Sequence, residues 1–128
     1  MSVKNYKFYN TSLGWIHFFI ALITFSLTVE PTASFWDAGE YISTSAKLQV
    51  GHPPGAPFFQ MMGADFSMFA SSNESIAIAV NFLSVVSSAF VILFLFWSTT
   101  LFLKKISNKN NFTNDTNILL SSSIGALA

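Results

Sequence analysis

Two carboxylates, a histidine and a lysine crowd into one short stretch of an otherwise apolar chain. The stretch reads W-D-A-G-E-Y from Trp36 and G-H-P-P-G from Gly51. Asp37 and Glu40 are three residues apart, the spacing that puts two carboxylates about one turn apart on a helix. An outward-facing carboxylate within reach of a hydroxyl can act as a general base. Lys47 could pair only weakly with Glu40 seven residues earlier, and its position could equally suit a phosphate. Asp37, Glu40 and His52 could also ligate a divalent metal, although their spacing matches no closed metal motif. Neither G-x-x-x-x-G-K-[ST] nor G-x-G-x-x-G occurs, so no nucleotide loop is expected.

These residues need elements to hold them. From Ser34 to Val50 the spacing predicts an amphipathic helix. Asp37, Glu40, Tyr41, Thr44 and Lys47 form its polar stripe, and Phe35, Ala38, Ile42 and Ala46 its apolar side. Such a helix beside a membrane span would lie along the interface. Gly51-His52-Pro53-Pro54-Gly55 must end it, because residues before proline are driven out of the α region. His52 is then mounted on a stiff turn. Pro57 suits the first position of a second helix, about Phe58 to Ala70, rich in Phe and Met on nearly all sides. That helix reads either as a segment dipping into the interface beside a lipid tail or as one packed on the spans. The bland reading of Asp37 and Glu40, as solubilising residues, is weakened by how rare charge is in this chain.

Charged residues make up 9% of the sequence and hydrophobic ones 52%, with fifteen Phe and a mean hydropathy of +0.51. Soluble domains carry about 25% charged residues, so the composition is that of a membrane protein. Net charge is zero, which gives no footprint for nucleic acid. There is no cysteine, so disulfides and thiolate metal sites are excluded. The expected fold class is all-α, a polytopic membrane protein fragment. Its first transmembrane helix is placed at about residues 12–29, with Trp15 as an interfacial anchor and Glu30-Pro31 as its stop. His17, its one ionisable group, reads as a packing or hydrogen-bonding residue. A cleavable signal segment is the rival reading, since Lys4 and Lys7 precede the run.

The second transmembrane helix is placed at about 76–103, long enough to tilt or project into one interface. Residues 104–116 are polar, Asn-rich and without periodicity, and are expected to form an irregular loop. The segment 117–128 reads as the start of a third span, so the chain reads as a piece of a longer protein. Lys4 and Lys7 precede span one and Lys104, Lys105 and Lys109 follow span two, whereas the intervening loop holds only Lys47. The positive-inside rule puts 1–11 and 104–116 in the cytoplasm and the loop 30–75 outside. Sequons at Asn10, Asn73, Asn111 and Asn114 carry little weight in so Asn-rich a chain.

The order of an N-terminal span, an external acid pair and then H-P-P resembles the first external loop of GT-C glycosyltransferases, which use polyprenyl-phosphate-linked sugars. Protein O-mannosyltransferases and aminoarabinose transferases have a comparable D-E…H-P-P arrangement. More narrowly, T-V-E-P-T-A-S-F-W-D-A-G-E-Y-I…L-Q-V-G-H-P-P-G-A-P looks like a large bacterial membrane family of formerly unknown function, with an animal protein O-mannosyltransferase as relative. The resemblance runs from about Leu13 to the end. It departs at the acids, D-A-G-E rather than adjacent D-E, which makes Asp37 the firmer match and Glu40 the weaker one.

The resemblance implies a glycosyltransferase working outside the cytoplasm, in the bacterial inner membrane. The sugar would pass from a polyprenyl-phosphate donor to the hydroxyl of a protein or glycan acceptor, as in protein O-mannosylation. Asp37 and Glu40 would be catalytic, with Asp37 as base. His52, Lys47 and Tyr41 would bind substrate and phosphate, no metal is assigned, and membrane lipid and the lipid-linked sugar would be the partners. Two or three spans alone would be inactive, because they cannot enclose both substrates. The competing class is non-enzymatic: a two-span assembly or scaffold protein, or a transporter piece with its acids on an ion path.

Overall fold

The computed structural model of the chain describes residues 3–110 and 114–128. Among them the regular structure is entirely helical: α1 (Val3–Thr28), α2 (Ala38–Ala46), α3 (Pro57–Ser67), α4 (Ile76–Asn110) and α5 (Asp115–Leu127), with a 3₁₀ turn, Asn73–Ser75, leading into α4. Asn5–Thr28 and Asn73–Ser107 are long and apolar enough to cross a membrane. Glu30-Pro31 follows the end of α1, and Ser72 opens α4 through a capping box with Ser75. Most of the apolar surface of both helices faces outward, with only 22% and 28% of their most apolar windows buried. Lipid, or further helices of a longer protein, would have to cover it.

The chain divides into two compact units, residues 1–24 with 88–128, and residues 25–87. In the first, α1, α4 and α5 pack around Phe96, Leu119 and Ala126, with Leu13, Ile92 and Trp97 against them. Gly14 lets the Trp97 indole lie against α1, and Trp97 Nε1 donates to the Asn10 carbonyl at 3.2 Å. Close approach at a small residue is how helices associate where lipid removes the hydrophobic drive. His17 is buried, stacked on Phe96 at 4.8 Å between ring centres, with Nδ1 against the Leu13 carbonyl. It is a packing and hydrogen-bonding residue.

Residues 104–110, expected to be irregular, continue α4 as helix. Extending an existing helix costs far less than nucleating one, so a polar Lys/Asn segment of modest propensity can follow a long apolar one. Lys104 is held there by Asp115 Oδ1 at 3.4 Å and by the Tyr6 ring, 3.2 Å from its Nζ to the centroid. The remainder of the expected loop up to 113, with the Asn111 sequon, lies outside the described residues.

The second unit holds α2, α3 and the first turns of α4. Here α2 and α3 meet at Gly63, where a Cβ would fall 2.9 Å from Ser45 Cβ. Ile42, Thr44 and Ser45 are buried on α2, and Gln60, Gly63 and Ala64 on α3. Gln60 Nε2 donates to Thr44 Oγ1 at 3.1 Å, so the seam is small and partly polar. Thr44, expected on the exposed polar stripe, therefore lies on the buried face. Asn81 in α4 ties down the segment after α1, its Nδ2 donating to the carbonyls of Glu30 and Thr32 at 2.9 Å each.

Candidate functional site

The helix expected over 34–50 is shorter, Ala38–Ala46, and both of its ends bear on the site. Trp36 has a φ of 59° and Leu48 a φ of 48°, left-handed values that a bulky side chain rarely adopts. Helical backbone therefore cannot extend through either residue. The first reversal leaves Asp37 at the N-cap of α2, and the second turns the chain back toward it. Gln49 N–H closes that second turn on the Thr44 carbonyl at 2.8 Å. The next residues, Gly51 to Gly55, form a tight turn in which Gly55 N–H donates to the His52 carbonyl at 2.8 Å; the Pro53–Pro54 bond is cis, and Gly55 has a φ of 71°. Gly51 eases this approach, because a Cβ there would stand 3.1 Å from both Glu40 Oε1 and Gln60 Nε2 and would press on each.

The turn delivers His52 to Glu40. The backbone N–H of His52 donates to Glu40 Oε1 at 2.7 Å, and its Nδ1 lies 2.7 Å from Glu40 Oε2. Both carboxylate oxygens are thus engaged by one residue. Its other ring nitrogen, Nε2, lies 3.8 Å from Asp37 Oδ2. The hydrogen bond to Glu40, followed by the charges of Glu40 and Asp37, holds the His52 pKa above its ordinary value. The backbone and ring hydrogen bonds from His52 hold the Glu40 carboxyl below its own. The imidazole is thereby biased toward the cation.

Asp37 is different. An N-cap aspartate usually turns its carboxylate onto the first amides of the helix. Here no side-chain cap bond forms, and the carboxylate, about half exposed, accepts no hydrogen bond among the described residues. Its carboxylate is thus open to a ligand on the side away from His52 Nε2. Asp37, Glu40 and His52 each present one ligand atom, all within 4.8 Å of one another, so the three could hold a divalent cation if Glu40 exchanged its bonds to His52.

The other two candidate residues lie apart from this trio. Tyr41 follows Asp37 by one turn, its N–H donating to the Asp37 carbonyl at 2.9 Å, and its ring meets Phe59 edge-on at 5.6 Å. Lys47 is the exposed C-cap of α2 and makes no ion pair with either acid among the described residues. Sequence reasoning missed Gly51 and Gln60, which shape the back of the site. A glycine directly before the histidine was the available signal for the first, and nothing marked the second.

No solved structure matches the chain. Over 80 residues it is 35% identical to a protein described as protein O-mannosyl-transferase tmem260 from Dictyostelium discoideum, a match covering 62% of this chain and 10% of the relative. The chain thus spans about a tenth of that relative's length. A family model described as the protein O-mannosyl-transferase TMEM260 N-terminal domain matches residues 37–128, a stretch that begins at Asp37 and takes in Glu40 and His52. The match covers well over half of the chain, which therefore belongs to the protein O-mannosyl-transferase TMEM260 N-terminal domain family.

Proposed function

We propose that this chain is the N-terminal part of a membrane glycosyltransferase that moves a sugar from a polyprenyl-phosphate donor to an acceptor hydroxyl, as in protein O-mannosylation. Asp37 takes the proton from the acceptor hydroxyl. The freed oxygen pair forms a bond to the anomeric carbon, and the bond from that carbon to the phosphate oxygen breaks, releasing polyprenyl phosphate. Cationic His52 meets the charge growing on the leaving phosphate, where a preorganised donor lowers the barrier most. Glu40 aims the imidazole and favours its protonated form. Lys47 supplies longer-range attraction to the phosphate. The lysine distribution supports a site outside the cytoplasm. An apolar groove of about 450 Å³ lined by Phe66, Phe69, Ile78 and Phe82 supports a polyprenyl tail nearby.

One observation carries this reading: of two neighbouring carboxylates, Glu40 takes two hydrogen bonds from His52 at 2.7 Å each, whereas Asp37 accepts no hydrogen bond among the described residues and meets His52 only through the looser 3.8 Å ion pair. That asymmetry supports Asp37 as the base and Glu40 as the orienter. In the full-length protein, Asp37→Asn should lower transfer to membrane-associated acceptors by about 10²–10⁴-fold, the usual contribution of a general base. Unchanged transfer would remove Asp37 from that role.

A further inference from the structure

The second unit contains a pocket of about 430 Å³ that the acid–histidine trio does not use. It is formed by α2, α3 and the start of α4, and its volume is that of a small-molecule site. Ala38, the residue after Asp37, lines one side, and Ala56, which follows the His52 turn, lines another. The pocket therefore adjoins the trio through the backbone at both places.

Its chemistry is neutral throughout. Its polar lining residues are Tyr41, Asn81 and the exposed Ser34 and Ser84, its apolar ones include Ile42 and Phe59, and no Lys, Asp, Glu or His lines it. The hydroxyls of Ser34, Tyr41 and Ser84 make no hydrogen bond among the described residues. Thr44 and Ser43 on the neighbouring turns, by contrast, bond to the backbone of their own helix. Asn81 is fixed by its two Nδ2 bonds to the Glu30 and Thr32 carbonyls, which leaves Oδ1 as an unengaged acceptor. The edge contact with Phe59 holds the Tyr41 ring in place.

A phosphate gains nothing here, because no cation is present to offset its desolvation. A long apolar tail would bury these polar atoms unpaired. A neutral polyol with hydroxyls on its rim and C–H groups on its faces satisfies both kinds of wall. We propose that this pocket is the subsite for the hexopyranosyl ring of the donor. This rests on the glycosyltransferase reading above.

The test uses the full-length protein in lipid nanodiscs, with Tyr41→Phe and Ser84→Ala singly and together. Each removes one hydroxyl and leaves the packing in place, which matched thermal unfolding checks. Two readouts are taken: saturation-transfer NMR with methyl hexopyranosides, and transfer kinetics with a polyprenyl-phosphate hexose. Each single change should raise the donor KM about 3- to 10-fold and leave the acceptor KM unchanged, as the loss of one neutral hydrogen bond implies. The double change should abolish the hexopyranoside signal. An unaltered donor KM, or a rise confined to the acceptor KM, overturns the subsite while leaving the transferase reading intact. Hexopyranoside binding that the double change removes, in a protein that transfers no sugar, keeps the subsite and overturns the transferase reading. Absence of both binding and transfer overturns both.

Discussion

Replacing Gly63 by alanine should loosen the α2–α3 seam that carries the acid–histidine trio. The new Cβ would stand 2.7 Å from Ser45 Oγ and 2.9 Å from Ser45 Cβ, with Val80 Cγ1 behind it at 3.5 Å. The hydroxyl can rotate away, but the Cβ cannot. Unstrained carbons sit about 3.5–4.0 Å apart, so the two helices must separate by roughly 0.6–1 Å. Overpacking of this kind costs about 1–3 kcal/mol. Alanine recovers up to about 1 kcal/mol of helix propensity over glycine, which leaves a net loss of about 1–2 kcal/mol at the upper end of the clash. That is roughly a 5- to 30-fold change in the local opening equilibrium. Hydrogen exchange of the full-length protein in detergent reads it directly, as faster exchange over Ala38–Ala46 and Pro57–Ser67 with little change in the middle of α1. Ser45→Gly costs about 0.5 kcal/mol of helix propensity alone, yet in the Gly63→Ala background it removes the opposing Cβ and should restore protection. Protection that stays level or rises in the single variant, or a double variant no better than the sum of its parts, would refute the packing argument.

Further outcomes concern the site and its supports. Glu40→Gln should lower the His52 pKa toward its ordinary 6.5, followed by NMR of labelled histidine; a value that stays raised would assign the shift elsewhere. Because the folded His52 pKa is raised, its contribution to stability is full below 6.5 and is lost as pH rises through the folded value. Glu40 is lowered, so its contribution is full above 4.5 and is lost as pH falls through the folded value. The pairing is therefore strongest between those pH values, and hydrogen-exchange protection of the His52 amide should peak there. Asn81→Leu removes both donations to Glu30 and Thr32 and should free that segment by about 1 kcal/mol, seen as faster exchange near residues 30–36. In Gly14→Leu the added Cβ would meet the Trp97 indole, 2.8 Å from Cε2, and tryptophan fluorescence should report the displaced ring.

The long apolar helices, the proline start of α3 and the turn at His52 were all legible, because hydropathy and proline act locally. The extent of α2 was not. Periodicity alone carried the helix to Ser34 and Val50, but left-handed backbone at Trp36 and Leu48 stops it at both ends, and neither side chain signals that conformation. Thr44 misled for a related reason. Its hydroxyl is satisfied by the Glu40 carbonyl and by Gln60, so it tolerates burial in a seam narrowed by Gly63. For the site, sequence brought out Asp37, Glu40 and His52 as a group and set Asp37 above Glu40, but it gave no sign that Glu40 would bond to His52. Glu40's grip on a backbone N–H twelve residues away is a distance relation that composition and spacing do not encode. Lys47 shows the converse, since a charge at helical spacing can still sit clear of both acids.

The bond from His52 to Glu40 also gives the separation between the two halves of the motif a mechanical meaning. It closes a ring of chain running out along α2, through the reversal at Leu48 and back through Gly51. Such a ring has a fixed perimeter. One residue inserted or deleted between Lys47 and Gly51 would carry the His52 amide past Glu40 by up to about 3.5 Å, the reach of one extended residue. That displacement exceeds the length of the bond. Length variation should therefore fall outside the interval from Asp37 to His52, and a chain that keeps both letter strings but alters their separation would lack the grip that sets the imidazole between the two acids.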